Sequence, residues 1–250
     1  MAKDNGLPSP TDLSISIRGP LLTEGTLPAF FYFALSGEDS LYLDPYNQPA
    51  AFLDGSPIRC YSFTLPFHGP GYDNHQAIQL WSQEIKNNPG FLEVFFQKCL
   101  KNIDFLIQQG YVDKGKIAVG GLSRGGFVAT HLAARDSRIQ YVLGYAPMTK
   151  LSAMDEVHEM IPDLDLKDLI PQLVNKQVRF YIGNRDLRVS TQACFEFVDQ
   201  LADASYRHGH RSPPIELMIS PSVGFKGHGT LPHLFQDGIN WIKCKFNIIN

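Results

Sequence analysis

A serine with glycines two positions away on either side is the strongest chemical signal in this sequence. Residues 121–125 read Gly-Leu-Ser-Arg-Gly; they follow the apolar run Lys116–Val119 and precede the amphipathic run Phe127–Ala134. A serine between a strand and a helix in this pattern is typical of the nucleophile elbow. The turn is so tight that the flanking positions approach each other closely and require glycine. The pattern therefore predicts that Ser123 is a nucleophile.

Two other interpretations of this glycine-rich turn are a phosphate cradle and a purely structural turn. A P-loop requires Gly-Lys-Ser/Thr after its spacer, whereas this chain has Gly125-Gly126-Phe127, and the sequence contains no G-x-G-x-x-G. The five-residue motif alone leaves the choice between a catalytic serine and a structural turn open. The rest of the chain has to decide it.

A catalytic serine needs a base within hydrogen-bond reach and a carboxylate that orients the base. With an elbow these partners follow in the order acid, then histidine, each on a loop after a strand. The apolar run Arg179–Ile182 leads into Gly-Asn-Arg-Asp, which ends at Asp186; the run Ile215–Ile219 leads into a loop that contains Gly-His-Gly around His228. We expect Asp186 and His228 to complete the triad.

Other residues compete for these two roles. Asp199 and Asp203 fall in a predicted helix whose polar face explains them, and Asp186 itself could be a turn or capping residue. Of the eight histidines, only His228 combines a glycine-flanked loop with the position after the last predicted strand; its alternative is an ordinary surface histidine. His158-Glu159 lacks the second histidine of H-E-x-x-H, so the sequence does not favour zinc.

An acyl-transfer site also requires two donors that face the developing oxyanion. The backbone N–H of Arg124 follows the nucleophile at a helix N-terminus, where the helix dipole favours negative charge. The second donor is expected in the loop after the apolar run Ala29–Ala34, at Leu35 or Ser36. That loop reads Ala-Leu-Ser-Gly and lacks the His-Gly pair of the lipase pattern, which leaves the second donor open.

Composition places the chain among ordinary globular proteins. Its 250 residues carry a net charge of −3 and are 44% hydrophobic, which suits one large α/β domain over residues 1–250. This balance gives no electrostatic case for binding nucleic acid. The longest apolar run, Leu27–Leu35, is too short for a membrane span. The N-terminus lacks a signal-peptide pattern and the four cysteines lack a C-x-x-C pair, so we expect free thiols and a cytoplasmic location.

Apolar runs alternate with helical periodicity along most of the chain. Leu13–Ile17 alternates with period two and suggests a half-exposed edge strand, whereas Ala29–Ala34 is continuously apolar, as in a strand covered on both faces. Further strands are predicted at 58–64, 116–119, 139–145, 178–182 and 215–219, and helices at 75–86, 91–109, 190–206 and 231–244. This order predicts βαβ units and a mostly parallel sheet, with sites at the carboxyl ends of the strands.

Taken together, these motifs resemble the α/β-hydrolase fold over nearly the whole chain, and most closely its prolyl-oligopeptidase-like and dienelactone-hydrolase-like esterases. The elbow, Gly-x-x-Asp at 183–186 and Gly-His-Gly at 227–229 occur in the family's order, and Thr64–Gly71 resembles its D-x-x-G-H-G segment. The resemblance implies hydrolysis through an acyl-enzyme without a cofactor: Ser123 attacks a carbonyl, His228 moves the proton and Asp186 orients His228. It also implies a small cap at 148–176.

Substrate contacts are less clearly marked. His68, in His-Gly-Pro-Gly, points to the same end of the predicted sheet and is either a substrate contact or a structural turn histidine. Four apolar side chains flank predicted strand ends and either line a pocket or belong to the core: Phe67, Tyr72, Met148 and Phe225.

Three functions remain open from the sequence. The first is a serine carboxylesterase that acts on a small or medium ester. The second is a serine peptidase or acyl-peptide hydrolase, which the absence of room for a large N-terminal gating domain disfavours. The third is a hydrolase-fold scaffold without catalysis, which only the altered loop at 35–37 favours.

Overall fold

The computed structural model describes residues 7–151 and 164–248, and its centre is a seven-stranded sheet. The strands are β1 (Ile15–Arg18), β2 (Leu27–Phe33), β3 (Arg59–Phe63), β4 (Val112–Leu122), β5 (Ile139–Tyr145), β6 (Gln177–Gly183) and β7 (Ile215–Ser220). Their order across the sheet is β1-β3-β2-β4-β5-β6-β7. Only β1 runs antiparallel to its neighbour; the other six strands are parallel.

Helices cover both faces of this sheet. They are α1 (Gly37–Tyr42), α2 (Gln48–Ala51), α3 (Ala77–Asn87), α4 (Phe91–Gln108), α5 (Arg124–Arg135), α6 (Ile170–Leu173), α7 (Thr191–Arg207) and α8 (Pro232–Lys245). One core cluster joins the sheet to α3, α4, α5 and α7, and a second joins the opposite face to α1, α2 and α8. The mostly parallel α/β architecture predicted from the sequence is therefore confirmed.

Burial of the strands follows their position in the sheet. Residues 29–33 of β2 are completely buried because both faces of this central strand are covered, as its continuous apolar run predicts. Strand β1 lies at the sheet edge and only Ile15 in it is buried, in accordance with the alternating pattern of the segment. Strand β4, which leads into the elbow, is next to β2 and is the fourth of the seven strands across the sheet.

Some element bounds differ from those predicted. Strand β4 extends beyond Val119, through Gly120 and Gly121, to Leu122 because residues 117–122 pair with β5. Helices α1 and α2 were not predicted; both are short, and they follow β2 at its carboxyl end. In the predicted cap, 148–176, the described part holds a 3₁₀ turn at Leu166–Leu169 and then α6. Residues 152–163 of that segment, with His158 and Glu159, lie outside the described residues.

The loops after the carboxyl ends of five parallel strands each contain one non-glycine residue with positive φ. These residues are Phe67, Ser123, Ala146, Ser190 and Lys226. Such conformations cost about 1–3 kcal/mol each and persist only where the surrounding structure enforces them. Their concentration at one edge of the sheet marks that edge as the candidate functional surface. None of the helices in the described part of the chain is long and apolar enough to cross a membrane.

Candidate active site

Ser123 stands at the junction of β4 and α5 in a strained backbone conformation. Its φ is 55° and its ψ is −116°, outside the regions that L-residues ordinarily adopt. The backbone on both sides is held: the Ser123 N–H donates to the Tyr145 carbonyl at 2.9 Å, and the Ser123 carbonyl accepts from the Met148 N–H at 3.1 Å. These bonds to the end of β5 and the segment after it stabilise the sharp turn at Ser123.

Close packing of backbone explains why glycine stands at positions 121 and 125. A Cβ atom on Gly121 would lie 2.1 Å from the carbonyl carbon of Gly125, and a Cβ atom on Gly125 would lie 1.8 Å from the Phe33 carbonyl oxygen. Real Cβ atoms essentially never approach backbone so closely. The elbow therefore folds back on itself and packs against the carboxyl end of β2, as the motif predicts.

Asp186 lies in the loop between β6 and α7, and its side chain is fully buried. Its Oδ1 accepts the backbone N–H groups of Arg188 and Val189 at 2.9 and 3.0 Å. Its own N–H donates to Thr191 Oγ1, which in turn donates to the Gly183 carbonyl. The carboxylate is therefore fixed on one side by the loop itself, which leaves Oδ2 for another partner.

His228 comes from the loop between β7 and α8, where the chain turns through three residues with positive φ: Gly224, Lys226 and Gly227. Gly227 is required sterically, because a Cβ atom there would lie 2.3 Å from the Arg185 carbonyl oxygen. The Leu187 N–H donates to the Lys226 carbonyl at 2.9 Å and ties this loop to the loop that carries Asp186. The two loops thus hold the histidine and the aspartate next to each other.

These three loops bring the side chains into one hydrogen-bonded relay. His228 Nδ1 lies 2.7 Å from Asp186 Oδ2, and His228 Nε2 lies 2.9 Å from Ser123 Oγ. A carboxylate can only accept, so Nδ1 carries the proton and Nε2 is left to accept from the serine hydroxyl. The arrangement can remove the proton from Ser123 as its oxygen attacks an electrophile.

The two backbone donors expected for the oxyanion site, at Arg124 and at Leu35 or Ser36, differ in their surroundings. Arg124 is the first residue of α5, so its backbone N–H lies at the helix N-terminus directly after Ser123. The Leu35 N–H instead donates to Ser40 Oγ at 2.9 Å, and Ser36 serves as the N-cap of α1, where its Oγ accepts from the Asp39 N–H. Ser40 also accepts the Ala34 N–H. The Leu35 N–H is therefore engaged by Ser40 in this structure, whereas the capping bond of Ser36 uses its side chain and not its N–H.

An open cleft of about 390 Å³ lies above Ser123. It is lined by two residues of the relay, Ser123 and His228, and by residues from several loops: Ala34, Leu35, Tyr46, Asn74, His75, Leu122, Arg124, Arg188, Phe225 and Gly229. This volume lies in the range of small-molecule sites, and the lining mixes apolar side chains with a few polar groups, as such sites do.

Four residues that the sequence suggested as substrate contacts do not line this cleft. Met148 is fully buried in the core, because the chain after β5 turns inward to bind the Ser123 carbonyl. His68 is 3% exposed, and its Nδ1 pairs with the Pro66 carbonyl at 2.8 Å, which is the structural-turn alternative. Burial, followed by the nearby Arg124 charge, lowers the pKa of His68 to about 4. Phe67 packs on Tyr72 and Phe91 beside the cleft, and Tyr72 is exposed.

Sequence reasoning missed four polar residues that do line the cleft: Tyr46, Asn74, His75 and Arg188. Arg188 could have been found, since it lies two residues after the predicted triad aspartate. Asn74 and His75 end the loop whose His-Gly-Pro-Gly start drew attention. Tyr46 offered no local signal, because its place depends on how α1 and α2 fold back over the carboxyl end of β2. Its carbonyl is fixed there by the Tyr32 hydroxyl at 2.9 Å.

Part of this chain is similar in sequence to known proteins. Residues 76–169 match the prolyl oligopeptidase family. The chain is 30% identical over 120 residues to acylamino-acid-releasing enzyme 2 of Oryza sativa subsp. japonica. That match covers 47% of this chain and only 14% of the rice protein, so the chain spans a small part of the length of this relative.

Solved structures extend the similarity to almost the whole chain. A puromycin-hydrolyzing peptidase of Mycobacterium tuberculosis superposes with a TM-score of 0.65 at 14% identity, over 93% of this chain and 38% of that one. An esterase of Pyrococcus furiosus superposes with a TM-score of 0.61 at 13% identity, over 98% of this chain and 90% of that one. The chain therefore has the α/β-hydrolase fold, and its middle part is similar to the prolyl oligopeptidase family.

Proposed function

We propose that this protein hydrolyses a carboxylic ester, or a related acyl bond, of a small or medium substrate through an acyl-enzyme. Ser123 is the nucleophile, His228 the general base and acid, and Asp186 the residue that orients His228. The observation that carries this proposal is the continuous relay from Ser123 through His228 to Asp186, which opens into a cleft. The cleft volume of about 390 Å³ supports a substrate of this size.

The proposed reaction has two half-reactions. Ser123 Oγ bonds to the substrate carbonyl carbon while its proton passes to His228 Nε2, and the Arg124 N–H donates to the oxyanion. The tetrahedral intermediate collapses as the bond to the leaving alcohol breaks, and His228 returns the proton to that alcohol. A water molecule then attacks the acyl-enzyme with the same proton transfers and releases the acid and Ser123.

A second candidate is a serine peptidase or acyl-peptide hydrolase, because the rice relative is an acylamino-acid-releasing enzyme. The same relay would serve both reactions, since the steps differ only in the leaving group. The similarity to a short part of the rice protein supports the peptidase about as well as the relay and the cleft support the esterase. The substrate preference therefore has to be measured.

The deciding experiment compares an ester and an anilide of the same N-acetyl amino acid, with wild type beside Ser123→Ala. We expect ester hydrolysis that falls by about three orders of magnitude or more in the variant. Anilide kcat/KM equal to or above that of the ester would favour the peptidase. Hydrolysis of neither substrate by folded wild type would instead favour a scaffold without catalysis, which the engaged Leu35 N–H supports.

We also propose that the protein resides in a reducing compartment, such as the cytoplasm. Cys60, Cys99, Cys194 and Cys244 are all free, and the first three are buried. Burial raises the pKa of Cys194 to about 12, so this thiol resists oxidation as a buried structural residue does. Free thiols throughout are typical of proteins kept in a reducing environment. Cell fractionation with an antibody against the protein would test this location.

A further inference from the structure

Phe225 is a strongly exposed apolar residue that lies at the cleft. Its side chain is 76% exposed, more than any other large apolar side chain in the described residues, yet it lines the cleft above Ser123. An exposed phenylalanine keeps a large apolar surface in water, and covering that surface with another apolar group is favourable. Its position at the catalytic cleft makes a substrate group the natural contact.

The backbone fixes Phe225 in this exposed position. Gly224 before it and Lys226 and Gly227 after it all have positive φ, and the Gly227 turn leaves no room for a Cβ atom. The Phe225 carbonyl accepts the His228 N–H at 3.0 Å. The aromatic ring is therefore presented by a strained, hydrogen-bonded turn that also carries the catalytic histidine.

This attachment to His228 indicates which part of the substrate meets the ring. His228 Nε2 has to deliver its proton to the leaving-group oxygen, so that oxygen must come within hydrogen-bond reach of the histidine. The alcohol portion of the ester consequently lies on the His228 side of Ser123, next to residue 225. The acyl portion extends in another direction from the carbonyl carbon.

We propose that Phe225 is a specificity-determining residue that contacts the alcohol portion of the ester and selects apolar alkyl or aryl alcohols. This inference rests on the proposed function, since it requires Ser123 and His228 to act as nucleophile and acid. The Lys226 ammonium lies over one face of the ring, 6.0 Å from its centre. The other face is apolar, so the ring discriminates by the apolar area that this face covers. It makes no contribution to the acyl preference.

Two matched substrate series test this proposal. The alcohol series is methyl, ethyl, propyl and butyl acetate, and the acyl series is methyl acetate, propanoate, butanoate and pentanoate. If one side of the alkyl chain contacts the ring, kcat/KM should rise about twofold with each methylene of the alcohol, or about eightfold from methyl to butyl. In Phe225→Ala the ratio of kcat/KM for butyl acetate to that for methyl acetate should fall to about two. The ratio for methyl pentanoate to methyl acetate in the acyl series should not change.

Phe195→Ala is the matched control, because Phe195 is an exposed phenylalanine of α7 that does not line the cleft. Ratios within one variant do not depend on the fraction of folded enzyme. The proposed contact is wrong if the alcohol ratio of Phe225→Ala is unchanged, if its acyl ratio falls equally, or if the alcohol ratio falls as much in Phe195→Ala. Each of these outcomes leaves the proposed function intact. If wild type hydrolyses neither these esters nor the N-acetyl amino acid ester, the proposed function falls and this inference falls with it. If wild type hydrolyses the N-acetyl amino acid ester but none of these esters, this inference falls alone.

Discussion

At the scale of single residues, the two oxygens of Asp186 have different partners. Oδ1 accepts two backbone N–H groups, from Arg188 and Val189, while Oδ2 faces His228 Nδ1. The loop therefore determines which atom of residue 186 meets the histidine. Because its two oxygens have separate partners, this one carboxylate can both position the imidazole and select its tautomer.

This arrangement makes Asp186→Asn informative. The asparagine oxygen should keep the two backbone N–H groups, so its NH₂ group must face His228 Nδ1 and force the proton onto Nε2. In that tautomer the histidine cannot accept the Ser123 proton. We expect kcat/KM to fall by about four orders of magnitude with little change in stability, measured by ester hydrolysis and thermal unfolding.

Asp199→Asn is the control, since Asp199 is an exposed carboxylate of α7 that competed with Asp186 in the sequence. It should hydrolyse the ester as wild type does. Retention of more than a tenth of the wild-type activity by Asp186→Asn would show that Asp186 does not orient the base.

The sequence identified the residues of the relay better than those of the cleft, for a physical reason. Ser123 and His228 carry local signals, because glycine is needed around each of them for steric reasons. No local pattern in the sequence indicates that the Leu35 N–H is engaged by Ser40, because this bond depends on α1, which brings residue 40 back over the end of β2. Met148 could not be assigned to core or cleft, since an apolar residue after a strand suits either.

At the scale of elements, the elbow depends on close contact between α5 and β2. Gly125 packs directly on the Phe33 carbonyl oxygen, so α5 approaches the sheet without an intervening side chain. The α1 helix is a second element that positions the cleft, because its Ser40 hydroxyl holds two backbone N–H groups at the end of β2. Its N-cap, Ser36, precedes Asp39 by three residues, a capping signal that the sequence analysis overlooked.

Gly125→Ala tests the packing of the elbow. The added Cβ atom would lie 1.8 Å from backbone, which cannot move without disrupting β2, so we expect a loss of at least about 3 kcal/mol in the free energy of unfolding. Urea denaturation measures this loss. Activity should also fall, since α5 and Ser123 would be displaced.

Gly115→Ala, in β4, is the matched comparison for Gly125→Ala. A Cβ atom at this exposed position would have its nearest contact, the Asp113 side chain, at 3.4 Å. Its stability should stay within about 1 kcal/mol of wild type. Equal stability of the two alanine variants would contradict the close packing of the elbow.

At the scale of the whole molecule, the core that supports the relay contains two buried histidines. His131, in α5, stacks on Phe96; its Nδ1 accepts from Arg135 and its Nε2 pairs with the Leu164 carbonyl. Burial, together with the Arg135 charge, lowers the pKa of His131 to about 3. His68 is buried beside the elbow and its pKa is lowered to about 4. Both side chains are therefore neutral in the folded protein at neutral pH.

These histidines should make the protein sensitive to mild acid. Their pKa values lie below the value of about 6.5 in the unfolded chain, so the unfolded chain binds more protons as the pH falls. Their contribution to stability is complete above about pH 6.5 and is lost progressively below it. Between pH 7 and pH 5 we expect each histidine to reduce the free energy of unfolding by about 2 kcal/mol.

Urea denaturation of wild type and His131→Phe at both pH values measures this effect. The phenylalanine keeps an aromatic ring against Phe96 but cannot bind a proton. The loss between pH 7 and pH 5 should therefore be about 2 kcal/mol smaller in the variant, whatever its absolute stability. An identical loss in both proteins would contradict the neutral, buried state of His131.

The central claim is that the relay activates Ser123, and labelling with a fluorophosphonate probe tests it most directly. Wild type and His228→Ala are compared, and mass spectrometry locates the adduct. The account predicts an adduct on Ser123 in wild type and labelling slower by about three orders of magnitude in folded His228→Ala, because the serine then lacks its base. No adduct on folded wild type, an adduct on another residue, or equal labelling rates in the two proteins would contradict it.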